Sequence, residues 1–511
     1  MTLSALAQAV GNAALITDPA ERDFYAQDVF SKGPAPLAVF RPTSVEMLAT
    51  GIRTATALNL AIIPRGGGMS YTSGYVAPNA GALIVDTGGL DRILEINAED
   101  MTVTVEAGCT WAKLYEALKP KGLRAFAWGT LSGIHATVGG GMSQNGLFWG
   151  ANNGPVADGA LSFDVVLADG SVVNTGSRFF RSFGPDITGL FAGDCGALGI
   201  KARVTLKLVQ EAAAFAYGSY AFDDYPAYFA GMSAIARTGL AAQNFGFDPY
   251  LQSQRMKRDS LGADAKSLLN MMKAQGSAWK AIKEGAKVVA AGRSFLEDVP
   301  FSLHVIVEGR SQAAVDADLF TINALVADAG GKAIENSIPK ILRANPFPPV
   351  NSMVGPEGER WVPVHGFLPH SRLVAAWEGV QALFAANAAE MAREGVAAGA
   401  MLAAVSRSTC LVEPVFFWPD ALEELHLRSL EPSHLAKLKR LPANPVARAL
   451  VDRLRAEVIG VFQTLGAAHL QVARSYPLKA SHHPAAWAVL EAVKHAVDPR
   501  GLMNPGSLGL S

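Results

Sequence analysis

Pro64-Arg65-Gly66-Gly67-Gly68-Met69-Ser70-Tyr71-Thr72-Ser73-Gly74 follows directly on the apolar run Ala61-Ile62-Ile63. Consecutive glycines let successive amides turn to one side with no Cβ in the way, which makes a concave anion site from main-chain N–H groups alone. A second cluster, Gly129-Thr130-Leu131-Ser132-Gly133-Ile134-His135-Ala136-Thr137-Val138-Gly139-Gly140-Gly141-Met142, has the same character. Each cluster alone also reads as a tight turn or a close backbone approach. Two in one zone favour a bound anion, and a dinucleotide diphosphate is its natural form. Neither matches the GxGxxG pattern between strand and helix with an acid about 20 residues on, and no GxxxxGK[ST] occurs.

Around these clusters the texture divides into three zones. Residues 1–209 hold most of the glycine and short β-branched runs bounded by Gly, Pro, Asp or Asn: 61–64, 82–86, 101–106 and 163–168. Runs of that length and punctuation are strands. Helices alternate with them, one opening at Ser44 and one at Thr110, each a capping residue before an apolar periodicity. Residues 210–450 turn richer in Ala, Leu and aromatics, with a strand at 301–308 and helices at 313–329 and 373–394. A separate sheet covered by helices is expected there. Residues 451–511 belong to a helical end, around 446–466 and 484–497, that closes in Asp498-Pro499-Arg500-Gly501-Leu502-Met503-Asn504-Pro505-Gly506, where regular structure is excluded. The fold class is α+β with two domains and a returning C-terminal segment.

Composition narrows the function. The 511 residues carry 44 Lys+Arg against 45 Asp+Glu, a formal charge of −1, with no basic block to hold nucleic acid. Half the residues are hydrophobic and 17% charged, which describes a chain with a large buried core. Cys109, Cys195 and Cys410 stand far apart with no CxxC, so neither a disulfide framework nor a zinc site is indicated. No apolar run approaches the ~20 residues of a membrane span, and the N-terminus lacks the Lys or Arg of a secretory signal. A cytoplasmic protein is the expectation.

The order of the motifs resembles a family. Arg41-Pro42-Thr43-Ser44-Val45, the first glycine loop, Glu106-Ala107-Gly108, Ala136-Thr137-Val138-Gly139-Gly140-Gly141, Asp164-Val165-Val166-Leu167-Ala168-Asp169-Gly170, Leu190-Phe191-Ala192-Gly193-Asp194-Cys195-Gly196-Ala197-Leu198-Gly199-Ile200 and the closing 498–506 segment look like the vanillyl-alcohol oxidase and p-cresol methylhydroxylase (PCMH-type) flavoprotein superfamily. The resemblance implies a PCMH-type FAD-binding domain with an α/β cap over the substrate. It places Pro64, Arg65, Gly66, Gly67, Gly68, Met69, Ser70 and Gly74 at the diphosphate. Thr130, Leu131, Ser132, His135, Ala136, Thr137, Gly139, Gly140, Met142, Gly193, Gly196, Gly199, Ile200 and Asn504 surround the rest of FAD. It further implies a small-molecule electron donor, O2 or a separate electron-acceptor protein, and a homodimer.

The chain also departs from the family pattern. Met69 stands where many members carry the histidine that bonds FAD, and Arg407–Glu413 offers neither His nor Tyr for a cap-side link, so non-covalent FAD is expected. The metal-binding HxxGDGN segment of the lactate and glycolate branch is missing, so no metal is expected. Cys410 on a β-like run reads as a small core residue. Ala473-Arg474-Ser475-Tyr476 resembles the segment of phenol-oxidising members whose arginine faces flavin and phenolate.

The reaction such a flavin runs needs a C–H held over the ring, a proton acceptor, and positive charge beside the reduced ring. Arg474 is the candidate for the charge or for a substrate clamp. His365 is a candidate base or a core histidine. Glu413 interrupts the apolar run Leu411–Trp418 and is either buried with a purpose or on an edge beside Pro414. Tyr476 is a candidate donor to the substrate, and Tyr71 can reach it. The expected function is FAD-dependent oxidation of a small alcohol or a para-substituted phenolic or benzylic donor. The alternative is a metal-independent 2-hydroxy-acid dehydrogenase with Arg474 on the carboxylate.

Overall fold

The computed structural model describes residues 2–256 and 300–510. Three sheets organise them. The first runs Leu15–Ile16, Ala38–Phe40, Leu83–Asp86, Ile62–Arg65, and its last three strands are parallel. The second is antiparallel, in the order Ile93–Asn97, Thr102–Glu106, Ile200–Gln210, Ala160–Val166, Val172–Asn174, with Leu123–Ala125 also on Ile200–Gln210. All the short strands read from the first zone form within a residue or three of their expected bounds. The helices Val45–Ala57 and Trp111–Leu118 start where expected because Ser44 and Thr110 side chains accept from Met47 N and Lys113 N.

The third sheet spans 214–418 and is antiparallel throughout. Its order is Lys332–Ala333, Ala214–Phe222, Phe301–Gly309, Gln243–Phe247, Ala397–Ala404, Cys410–Trp418, Arg360–Pro363, with Gly366–Leu368 also on Cys410–Trp418. Side chains alternate across a strand, so Leu402, Val412, Phe416 and Trp418 turn to a core shared with helices Tyr225–Thr238, Leu373–Ala386 and Pro445–Thr464. The other face looks toward the first two sheets. Cys410 lies in this sheet, fully buried, its Sγ 3.5 Å from His370 Nδ1. The single helix expected over 373–394 is two, because Asn387 breaks it: its Nδ2 donates to Leu383 O and competes with the helical ladder.

The chain end closes the first sheet. Ile62 N donates to Leu502 O, and Asn504 N donates to Ile62 O, each at 2.8 Å. Asn504 sits in the left-handed region (φ 42°). Its Nδ2 donates to Gly74 O at 2.8 Å and Cys195 O at 2.6 Å, while its Oδ1 accepts from Arg474 at 2.7 Å. One buried amide therefore joins the first glycine loop, the 193–200 turn and the C-terminal segment. Asn504→Ala removes all three bonds and strands two buried carbonyls. We expect it to cost about 2–4 kcal/mol, read as a lowered unfolding midpoint in urea.

Candidate active site

The strand Ile62–Arg65 delivers the chain into the first glycine loop. There the amides of Gly66, Gly67, Gly68 and Met69 donate to no acceptor among the described residues. Gly68 has φ +72°, and a Cβ on Gly66 or Gly67 would lie 2.5 Å from Thr137 Oγ1 or 1.9 Å from His135 O. The glycines are required by close approach on one side and leave a row of N–H groups on the other. Arg65 braces the loop from behind, its guanidinium 4.6 Å from the Tyr25 ring centroid and 4.9 Å from that of Phe24.

The second glycine cluster differs from its expected form. Its last part is a helix, Val138–Gln144, capped by Thr137. Its amides are already used: Val138 N on Cys109 O, Gly139 N on Ala107 O, Gly140 N on Thr137 Oγ1, Gly141 N on Thr137 O. Here glycine serves packing. A Cβ on Gly139 would stand 2.5 Å from Ala107 Cβ, and one on Gly141 2.9 Å from Trp111 Nε1. Of the two runs of three glycines, Gly66–Gly68 alone has amides that donate to no acceptor among the described residues.

A cavity of about 1280 Å³ runs from this loop to the inner face of the third sheet, larger than the roughly 300–1,000 Å³ of ordinary ligand pockets. Pro64, Arg65, Gly66, Gly67, Gly68, Met69, Ser70, Thr130, Leu131, Ser132, Ala136, Thr137, Gly139, Gly140, Gly196, Gly199 and Ile200 line it. Gly74, His135, Met142, Gly193 and Asn504 are not among its lining residues. They stand behind the wall: Met142 and Asn504 are buried in it, and His135 presents its carbonyl to Gly67.

Sequence reasoning missed two parts of the wall. One is a strap, Asn345–Met353, whose Pro346 carbonyl accepts from Trp149 Nε1 at 2.6 Å. Its run Pro346-Phe347-Pro348-Pro349 is the signal of an extended segment. The other is Lys201, whose Nζ meets Asp194 Oδ1 at 2.6 Å and Ser143 Oγ at 2.9 Å, all against the cavity wall.

At the far end the cap sheet forms a roof. Alternate residues Trp361, His365 and Phe367, then Leu411, Glu413, Val415 and Phe417, then Met401 and Ala403, point into the cavity. The register that pairs Pro363 with Val415 and Gly366 with Val412 sets His365 opposite Glu413, while Met401 pairs with Glu413 on the other side. Glu413 is thus on an interior strand, with partner strands on both sides, and Pro414 does not mark an edge. Facing it from the floor are Tyr71, Leu470 and Gln471. Tyr71 stacks edge-on against Trp361 at 5.8 Å, and Gln471 Nε2 donates to its hydroxyl at 3.4 Å. Burial, and then the Glu413 charge, holds the Tyr71 phenol well above its ordinary pKa, so it stays a neutral hydroxyl.

Three of the sequence candidates take other positions. Arg474 is absent from the lining; its guanidinium donates to Ser73 O, Val76 O, Pro505 O and Asn504 Oδ1 and so locks the chain end. Tyr476 lies one layer back, its hydroxyl accepting from His365 N at 3.1 Å and 3.2 Å from His365 Nδ1. His365 lines the cavity, but its Nε2 lies 2.8 Å from Leu470 O and 3.2 Å from Leu470 N, and its Nδ1 lies 3.2 Å from the Tyr476 hydroxyl, so both ring nitrogens have protein partners. Burial, with the nearby His469 and Arg455 charges, pushes His365 down to about 3. With both nitrogens engaged, the expected base is a neutral, fixed side chain.

Among the described residues no group of His, Cys, Asp or Glu is placed to hold a metal, and no helix is long and apolar enough to cross a membrane. A family model described as an FAD binding domain matches residues 36–176, which contain both glycine clusters. The fold is similar to that of p-cresol methylhydroxylase with substrate bound, at a TM-score of 0.73 and 17% identity over 100% of this chain and 96% of that one. It is an FAD-binding chain with the PCMH-type fold. In sequence, 176 residues are 31% identical to a glycolate oxidase subunit of Bacillus subtilis, covering 34% of this chain and 37% of that protein. Another 31% match, over 206 residues, is to D-2-hydroxyglutarate dehydrogenase of Xanthomonas citri, covering 40% and 43%. These alignments span about two fifths of the relatives' own length.

The unclaimed amides and the Cβ-free loop fit the FAD diphosphate. Gly67→Ala puts a methyl into the His135 carbonyl and displaces the amide row; the purified variant should lose its flavin absorbance while the wild type keeps it. His365 adds a pH signature. Its folded pKa, near 3, lies below the ordinary value near ~6.5, so the unfolded chain takes up a proton that the folded chain refuses. Its contribution is intact above about pH 6.5 and is lost as pH falls toward 3, at up to ~1.4 kcal/mol per pH unit. Between pH 6.5 and 5 the stability of His365→Asn should fall less steeply than that of the wild type.

Proposed function

We propose that the chain is an FAD-dependent oxidoreductase that oxidises a small apolar alcohol or para-substituted phenolic donor, with Glu413 taking the donor's hydroxyl proton. The single observation that supports this is the composition of the roof. Phe367, Leu411, Val415, Phe417 and Met401 offer an apolar bed around the Glu413 carboxylate, with the buried Arg455 guanidinium behind the floor on the Tyr71 carbonyl. Bound FAD would supply the hydride acceptor, held at the loop amides of Gly66–Met69 and enclosed by the strap at 345–353.

The protein's own part is positioning and proton transfer. Leu411 and Phe417 flank the donor, and Tyr71 gives a neutral hydroxyl beside Glu413. His365, fixed between Leu470 O and Tyr476, closes the roof opposite Glu413 without titrating. A carboxylate removes the proton of a bound hydroxyl as its C–H is lost. We infer that FAD is held non-covalently, with Met69 beside the loop amides.

The 2-hydroxy-acid reading draws on the names of the sequence relatives. It loses its clamp, since Arg474 is committed to four acceptors, and a substrate carboxylate would face Glu413 at close range. Anaerobic mixing of the FAD-loaded protein with 4-alkylphenols, benzylic alcohols, glycolate and D-lactate separates the two. Bleaching of the flavin band by the neutral donors alone is expected; reduction by the hydroxy acids alone would overturn the proposal. Glu413→Gln should retain FAD and slow that bleaching by about 10²–10⁴-fold. An unchanged rate would remove Glu413 from the proton step.

A further inference from the structure

Arg455 is a buried cation to which the chemistry above gives no part. It lies on helix Pro445–Thr464, 7% exposed, one layer behind the cavity floor. Its guanidinium stands 4.2 Å from the Phe30 ring centroid, and one Nη donates to the Tyr71 carbonyl at 3.3 Å. Its buried Nε has no hydrogen-bond partner. Among the described residues that single bond is all its five N–H donors make. The buried Arg343 shows the ordinary solution, an ion pair with each of Glu211 and Glu308. Two carboxylates near Arg455 do not serve it in this way. Asp28 accepts from the amides of Phe30, Ser31 and Ser73, and Asp452 is on the same helix. Burial pushes both carboxyls up from their ordinary range, so neither is a full counter-charge.

A buried charge without a close partner destabilises the fold, and a Met of similar length would cover Phe30 without that cost. The position of the guanidinium supplies a reason for it. Glu413 hangs from the roof, Tyr71 lies on the floor facing it, and Arg455 holds Tyr71 from behind. Tyr476, behind His365, stands in the same layer. Both phenols feel the two opposite charges, Glu413 driving their pKa up and Arg455 drawing it down. The other titratable groups around this layer carry no charge at neutral pH. Burial raises Tyr71 and Tyr476 and lowers His365 and His469, so all four are neutral.

We propose that Arg455 is a positioning residue for the proton transfer: its charge, acting across the Tyr71–Tyr476 layer, holds Glu413 in the ionised form that accepts the donor's proton. The inference rests on the role given to Glu413 above. Removing the cation favours the neutral acid, so the titration of Glu413 moves to higher pH.

Infrared titration of the full FAD-loaded chain in D2O tests it without any donor. The protonated-carboxyl band that Glu413→Gln abolishes reports the Glu413 midpoint. Arg455→Met should move that midpoint up by about 1–2 pH units, and Arg455→Lys, which restores the charge, should bring it back. The acidic limb of anaerobic flavin bleaching should move with it. Should Arg455→Met not take up FAD, Arg455→Gln, which can still donate to the Tyr71 carbonyl, repeats the comparison. A Glu413 midpoint that stays in place in the flavin-loaded variant would overturn the proposal, as would bleaching slowed equally at every pH with its limb unmoved. Bleaching that Glu413→Gln leaves unchanged would count against the function proposed above and not against the charge coupling, which the infrared midpoint reads by itself.

Discussion

Four consecutive main-chain amides, Gly66 to Met69, belong to residues that line the cavity and donate to no acceptor among the described residues. A buried N–H without an acceptor costs about 1–3 kcal/mol, so the loop is stable only in exchange for an anion or for solvent. Everything around it holds the loop in that state. The strand Ile62–Arg65 fixes its start, Arg65 supports it from an aromatic cage, and Asn504 ties its far side at Gly74 to the end of the chain. The first sheet, the 193–200 turn and the C-terminal return serve one geometric requirement, that these amides remain aligned.

The second requirement is a roof at a fixed height over that cavity. Cys410–Trp418 meets it because it is buried on both faces, with helices above and the chamber below. Leu411–Trp418 consequently reads as an almost continuous apolar run. Glu413 is the exception that faces the chamber, beside Met401 and opposite His365. The site's chemistry therefore rests on strand register. A slip of one residue would turn Glu413 into the helical core and Val412 into the cavity.

Much of this was legible in the sequence. Strand bounds around Ile62, Leu83 and Thr102 followed from short β-branched runs, and the capped helices followed from Ser44 and Thr110. The first glycine loop carried its meaning locally, since three adjacent glycines follow directly on a strand. The second cluster did not. Whether its amides were free depended on Cys109 and Ala107, which only the folded chain brings alongside. Arg474 shows the same boundary. The sequence marks it as the candidate for charge beside the flavin or for a substrate clamp, but the Ser73, Val76 and Pro505 carbonyls that claim it come from distant segments. His365 and Tyr476 were both visible as unusual polar residues, while their mutual bond, more than a hundred positions apart in sequence, was not.

The central claim is that the amide row grips a diphosphate. Calorimetric titration of the flavin-free chain with FAD and with riboflavin tests it most directly, because the two ligands share the ring and differ in the diphosphate and adenosine. At about 1.5–3 kcal/mol for each hydrogen bond to a charged oxygen, two such bonds alone predict FAD binding about 10²–10⁴-fold tighter than riboflavin. Equal affinities for the two ligands would contradict the account.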